Sequence, residues 1–137
     1  MQSSGYSGTP LAKKLGIKAG FTVSFLHAPN GYFDLFSELP EGLVITQDAT
    51  LKKDFIHYFA ISADTLNLDI KALRHEITQQ GMIWISWPKK AAKVATDLDS
   101  NTVRTIGLKN GLVDIKVCAV NATWSALKFV IPLKDRK

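Results

Sequence analysis

An apolar run from Met82 closes on Trp87-Pro88-Lys89-Lys90, which sets an indole beside two ammonium groups at a corner that the proline enforces. An aromatic face and two mobile point charges suit an anionic or aromatic small molecule. The competing reading is a proline turn whose lysines only solvate a loop. His27-Ala28-Pro29-Asn30-Gly31 breaks an earlier strand and leaves an imidazole at its end. Ser62 opens a later helix. Asp48 stands about 20 residues past the Pro29 loop, the spacing at which an acidic residue can hold a ribose hydroxyl, although a lone Asp in a polar loop more commonly shapes a turn.

Other reactive side chains read as structural. His27, His57 and His75 fall on different elements, so no metal-ligand set is expected. His57, inside a strand, should be packed and hydrogen-bonded, and His75 should lie on a helix surface. Cys118 sits between Val117 and Ala119, with Lys116 on its own face by strand alternation; burial as a small apolar group is favoured over a reactive thiol.

The elements that must position these residues follow from periodicity. Thr9-Pro10 should open a short helix carrying Leu11 and Leu15 and closed by Gly16. Phe21–His27 alternates as a first strand. Asn30 is placed to cap a brief helix to Leu39 with Phe33, Phe36 and Leu39 on one face, and Leu43–Thr46 reads as a second strand. Phe55–Ile61 is a third. Leu66, Ile70, Leu73 and Ile77 then form one helical stripe behind a Ser62 cap, with Gly81 as the stop.

Met82–Trp87 has the unbroken apolarity of a strand buried on both faces, with Trp84 and Trp87 on opposite sides. Asp97 or Asp99 should cap a helix bearing Val103, Ile106 and Leu108 and ended by Asn110-Gly111. Val113–Val120 and Trp124–Leu133 form a closing antiparallel hairpin at the sheet edge, where Pro132 is tolerated. Strand, helix, strand is the mark of a parallel crossover. The expected class is therefore α/β: a three-layer, Rossmann-like, mostly parallel sheet with a C-terminal antiparallel hairpin strand.

With 137 residues and 46% hydrophobic content, one Rossmann-like domain over residues 1–137 is expected, residues 1–8 being Gly- and Ser-rich and flexible. A single cysteine, with no leader-like start and no apolar run near the roughly 20 residues a bilayer requires, points to a cytoplasmic protein without a membrane partner. The net charge is +5, but the cations at Lys13, Lys14, Lys18, Lys52, Lys53, Lys89, Lys90, Lys93, Lys134, Arg136 and Lys137 are dispersed along the chain. Direct nucleic-acid binding is accordingly not expected. An exposed sheet edge leaves the oligomeric state open.

Gly5-Tyr6-Ser7-Gly8-Thr9-Pro10-Leu11, Lys14-Leu15-Gly16-Ile17, Trp87-Pro88-Lys89-Lys90-Ala91, Thr96-Asp97-Leu98, the run Gly111–Val120 and Thr123–Lys128 resemble an uncharacterised bacterial family, domain of unknown function 3052. That resemblance carries no activity. The order of elements is similar to the back half of class I S-adenosylmethionine-dependent methyltransferases, which implies a cofactor cradle after the first strand. His27–Gly31 is not a Gly-x-Gly loop, and Pro29 removes a backbone donor.

Two readings follow. The first is a non-enzymatic, Rossmann-like module for small-molecule or protein binding, without a Gly-rich loop, its ligand at His27, Pro29, Asn30, Gly31, Ser62, Trp87, Lys89 and Lys90. The second is a small S-adenosylmethionine- or nucleotide-dependent methyltransferase-like enzyme using the Pro29–Gly31 loop and Asp48.

Overall fold

The computed structural model describes residues 9–137; the stretch expected to be flexible, 1–8, lies outside them. Six strands form one sheet: β1 (Thr22–Leu26), β2 (Val44–Ile45), β3 (Lys53–Phe59), β4 (Ile77–Pro88), β5 (Val113–Ala119) and β6 (Trp124–Val130), in spatial order β2-β1-β3-β4-β6-β5. The β1–β2, β1–β3 and β3–β4 pairs are parallel, and β6 pairs antiparallel with both β4 and β5. The exits of β1, β3 and β4 therefore share one rim. The architecture is α/β and Rossmann-like.

Strand alternation sends two sets of side chains to opposite faces. On one face Ile56, Tyr58, Ile83, Ile85 and Trp87 pack against α2 (Ala63–His75) and α3 (Ser100–Lys109) through Leu66, Ile70, Leu73, Val103 and Ile106. On the other, Val23, Phe25, Phe55, Phe59 and Trp84 are covered by α1 (Leu11–Leu15), Tyr32 and Phe36. Trp84 and Trp87 thus serve different cores. Trp84 is anchored by donating its indole N–H to the Leu15 carbonyl at 2.8 Å. Gly16 closes α1 at φ 84°, a left-handed conformation that favours glycine.

Several boundaries differ from expectation for identifiable reasons. Pro10 is itself the N-cap of α1, not its first helical residue, and Thr9 supplies no side-chain cap. The helix expected from Asn30 to Leu39 is a single 3₁₀ turn over Tyr32–Leu35, entered through Gly31 at φ 80°; Tyr32 and Phe36 are drawn into the core while Phe33 stays 48% exposed. α2 stops at His75, because the Glu76 carbonyl accepts the Lys53 N–H at 2.8 Å and its carboxylate accepts the Lys53 ammonium at the same distance.

Ile77 accordingly opens β4 instead of closing the helical stripe, and Gly81 lies within the strand, past a register shift between Lys53 and Phe55. A Cβ there would come within 2.9 Å of the Lys53 carbonyl, which is why the position takes glycine. Leu108 faces outward, and Gly107 replaces it in the α3 core contact. β6 ends at Val130, inside the sheet beside edge strand β5, so Pro132 lies beyond the strand and opens a 3₁₀ turn.

Candidate functional site

The rim of parallel-strand exits holds two adjoining cavities. The first, about 280 Å³, is lined by His27, Tyr58, Phe59, Ala60, Ile61, Ser62 and Thr65. The second, about 420 Å³, is lined by Trp87, Pro88, Lys89, Lys90, Val94, Thr96, Asp97, Leu98 and Asp99. The wall between them is built from cross-links: the Thr96 hydroxyl donates to the Ile61 carbonyl at 2.7 Å, and Asp97 Oδ1 accepts the Ala63 N–H at 2.9 Å.

His27 ends β1 with φ 58°, a left-handed backbone uncommon outside glycine but more frequent in His than in bulky residues. That turn brings its ring edge-on to Tyr58, with centroids 5.2 Å apart. Tyr58 donates its hydroxyl to Asp69 on α2, and burial together with that bond pushes its phenol pKa up. It is therefore a fixed, neutral wall. Ser62 and Thr65 add two hydroxyls from the first turn of α2, where Ser62 Oγ accepts the Thr65 N–H at 3.3 Å. No carboxylate or ammonium lines this slot.

The second cavity is electrostatically mixed. Lys89 and Lys90 share it with Asp97 and Asp99; Asp99 Oδ1 caps α3 by accepting the Thr102 N–H at 2.8 Å. Those bonds to Thr102, with the Lys90 charge a smaller contributor, hold the Asp99 carboxyl below the usual range. Trp87 is only 6% exposed and belongs mainly to the core, so little of its ring is available for stacking.

Of the residues singled out from sequence, His27 and Ser62 meet in the first cavity, and Trp87, Lys89 and Lys90 in the second. Pro29, Asn30 and Gly31 line neither. Asp48 also lies apart: its Oδ1 accepts the Thr50 N–H and hydroxyl at 2.9 and 2.7 Å, and its carbonyl accepts the Lys53 ammonium at 2.6 Å. The Thr50 bonds lower the Asp48 carboxyl, which shapes a turn. Tyr58 and Thr65 join the slot without having been marked in the sequence. Tyr58 read only as a strand residue, and Thr65 is one turn into a helix.

His57 and Cys118 are sealed off from this rim. His57 is fully buried and stacked on Phe59 at 4.2 Å, with Tyr32 Oη 2.8 Å from Nδ1 and Ser86 Oγ 2.7 Å from Nε2. Burial pulls its pKa down to about 3, so it is neutral at physiological pH. Burial raises the Cys118 thiol against the opposing influence of Lys14, Lys116 and Lys89. Among the described residues no group of three or more metal-ligating side chains occurs, and no helix is long and apolar enough to cross a membrane.

A dinucleotide- or S-adenosylmethionine-type cradle needs free backbone N–H groups at a helix N-terminus. Here the Tyr32 N–H is donated to Pro29 and the Asp34 N–H to Gly31, Pro29 has none, and only a 3₁₀ turn follows. These residues do not fit the charged tail of such a cofactor.

The sheet order, its single antiparallel strand β6 beside β4, and the rim on the parallel exits define the class I S-adenosylmethionine-dependent methyltransferase fold. No family model matches the chain, and no curated protein sequence does. Solved structures of this fold do. Ribosomal protein L11 methylase from Lactobacillus delbrueckii subsp. bulgaricus superposes with a TM-score of 0.57 at 12% identity, covering 88% of this chain and 74% of that one. Magnesium protoporphyrin IX methyltransferase from Synechocystis PCC 6803 with bound SAM gives 0.55 at 10% identity, covering 89% and 74%. DhpI in complex with SAH gives 0.62 at 12% identity, covering 90% and 83%.

Proposed function

We propose that this chain is a small methyltransferase-like protein that binds an adenosyl-type ligand in the slot between the exits of β1 and β3. The neighbours are S-adenosylmethionine-dependent methyltransferases, which supports an enzyme of that kind more than a purely non-enzymatic module. The observation that carries the reading is the slot itself. Two aromatic rings at right angles, apolar Ala60 and Ile61, and the hydroxyls of Ser62 and Thr65 are complementary to a neutral nucleoside base and sugar. The family resemblance to domain of unknown function 3052 rests on the motif words alone.

Because no carboxylate or ammonium lines the slot, the nucleoside supplies the affinity and the amino-acid tail adds little. Calorimetric titration with S-adenosylmethionine, S-adenosylhomocysteine and adenosine tests this. The three should bind within about a factor of ten of one another, since each charge-assisted contact a tail would gain is worth about 1.5–3 kcal/mol. Thr65→Trp, which fills the slot from an exposed helix position, should abolish all three without lowering thermal stability. Absence of heat with every ligand, or binding indifferent to Thr65→Trp, overturns the reading.

The non-enzymatic module is the second reading, favoured by the occupied backbone donors of the Pro29–Gly31 turn. It is separated by turnover: an enzyme releases S-adenosylhomocysteine from S-adenosylmethionine when its acceptor is supplied, and a module binds without consuming it.

A further inference from the structure

Lysines scattered through the sequence are gathered by the sheet. Lys116 on β5 and Lys128 on β6 are register partners, directly opposite one another in an antiparallel pair. Like charges in that position destabilise a sheet. Their face is the one covered by α1, since Cys118 and Ala126, two residues along each strand, belong to the core beneath that helix. From α1 itself Lys14 reaches across to donate Nζ to the Ala119 carbonyl at 3.2 Å. Lys18 follows just beyond; burial first, then the charges of Lys116 and Lys18, lower the Lys128 pKa.

The ion pairs among the described residues are Lys53–Glu76, Arg74–Asp135 and Arg104–Asp114, and none of these four lysines takes part. We propose that Lys14, Lys18, Lys116 and Lys128 form a docking surface for the phosphate backbone of a duplex nucleic acid, bound through charge and not through base sequence. Protein interfaces deplete lysine and concentrate their energy in aromatic and arginine anchors. None of the four residues is either. Nucleic-acid interfaces are polar and strongly cationic. Lysine is a point charge without the planar fork that reads a guanine edge, and none of the four offers a ring for stacking single-stranded bases. What remains is contact with backbone phosphates, which fix position without reading sequence.

The opposed pair makes the proposal testable from two directions. Anisotropy of a fluorescent duplex of about 20 base pairs, followed between about 50 and 200 mM salt, should show log affinity falling with log salt at a slope near −3.6, about −0.9 for each of four contacts. Lys116→Gln combined with Lys128→Gln should shrink that slope by about 1.8 and weaken binding. The same double variant should melt no lower than the wild type, because an unfavourable pair has been removed. Lys71→Gln, exposed on α2, should leave the slope unchanged. Binding that ignores salt, a slope unaltered in the double variant, or displacement of the duplex by polyglutamate at equal charge concentration each overturns the proposal.

Discussion

Gly107 of α3 lies so close to Phe129 of β6 that a Cβ added there would sit 2.1 Å from the ring's Cε1 and 2.5 Å from Cζ. Helix propensity alone says Gly107→Ala should stabilise by up to about 1 kcal/mol. The overlap decides otherwise, because Phe129 is fully buried and cannot swing away. Overpacking of this kind costs about 1–3 kcal/mol. The substitution should therefore lower the thermal midpoint, and Gly107→Ala with Phe129→Leu should recover part of the loss. A midpoint that rises in the single variant would show that α3 can lift off the sheet at little cost.

The neutral His57 makes stability depend on pH in a defined window. Its folded pKa is pulled down to about 3 by burial, against about 6.5 in the unfolded chain. Below about pH 6.5 the unfolded state takes up a proton that the folded state refuses, so stability is full above that pH and falls as the pH drops toward 3. The slope contributed by this one group approaches about 1.4 kcal/mol per pH unit. Urea midpoints measured from pH 7 to pH 4.5 should fall more steeply for the native protein than for His57→Phe. Parallel curves would mean that the imidazole is protonated in the fold.

The wall between the two rim cavities rests on Asp97, whose carboxylate accepts the first N–H of α2 from 34 residues further along the chain. Loss of a helix cap costs about 1 kcal/mol. Asp97→Ala should cost that much in thermal or chemical unfolding, and Asp97→Asn, which keeps an accepting oxygen, should cost less. Equal losses in the two variants would assign the effect to charge in place of the hydrogen bond.

Local patterns carried the sheet and missed the ties between distant segments. The Leu66, Ile70 and Leu73 stripe, the apolar run that buries Trp84 and Trp87 on opposite faces, and the terminal hairpin are all dictated by nearest-neighbour periodicity. Where an element ends because of a remote partner, the sequence is silent. α2 stops at His75, two residues before Ile77 would complete another turn of its stripe, because Glu76 is claimed by Lys53, 23 positions away. Asp97 reads as a cap for the helix that follows it, yet caps the one before. At the rim, His27 and Ser62 were legible as strand end and helix start. Tyr58 and Thr65 were not, because what makes them site residues is the left-handed turn at His27 that sets its ring against Tyr58 and in one cavity lining with Thr65.

The Lys53–Glu76 pair yields an asymmetric prediction. Lys53 has no exposed side-chain surface, whereas Glu76 keeps 19% of its own. Glu76→Ala leaves a sealed ammonium with only the Asp48 carbonyl as partner, and breaking a buried pair in this way costs about 3–5 kcal/mol. Lys53→Met leaves a carboxylate that can still reach water, so its loss should be smaller. Lys53→Met combined with Glu76→Leu removes both desolvated charges and should fall nearer the native protein than Glu76→Ala does, because apolar replacement of a whole buried pair is often close to neutral. A double-mutant cycle by urea unfolding measures this directly. If Glu76→Ala proves the mildest of the three, the ammonium has found water, and the bulge between Lys53 and Phe55 is looser than the hydrogen bonds imply.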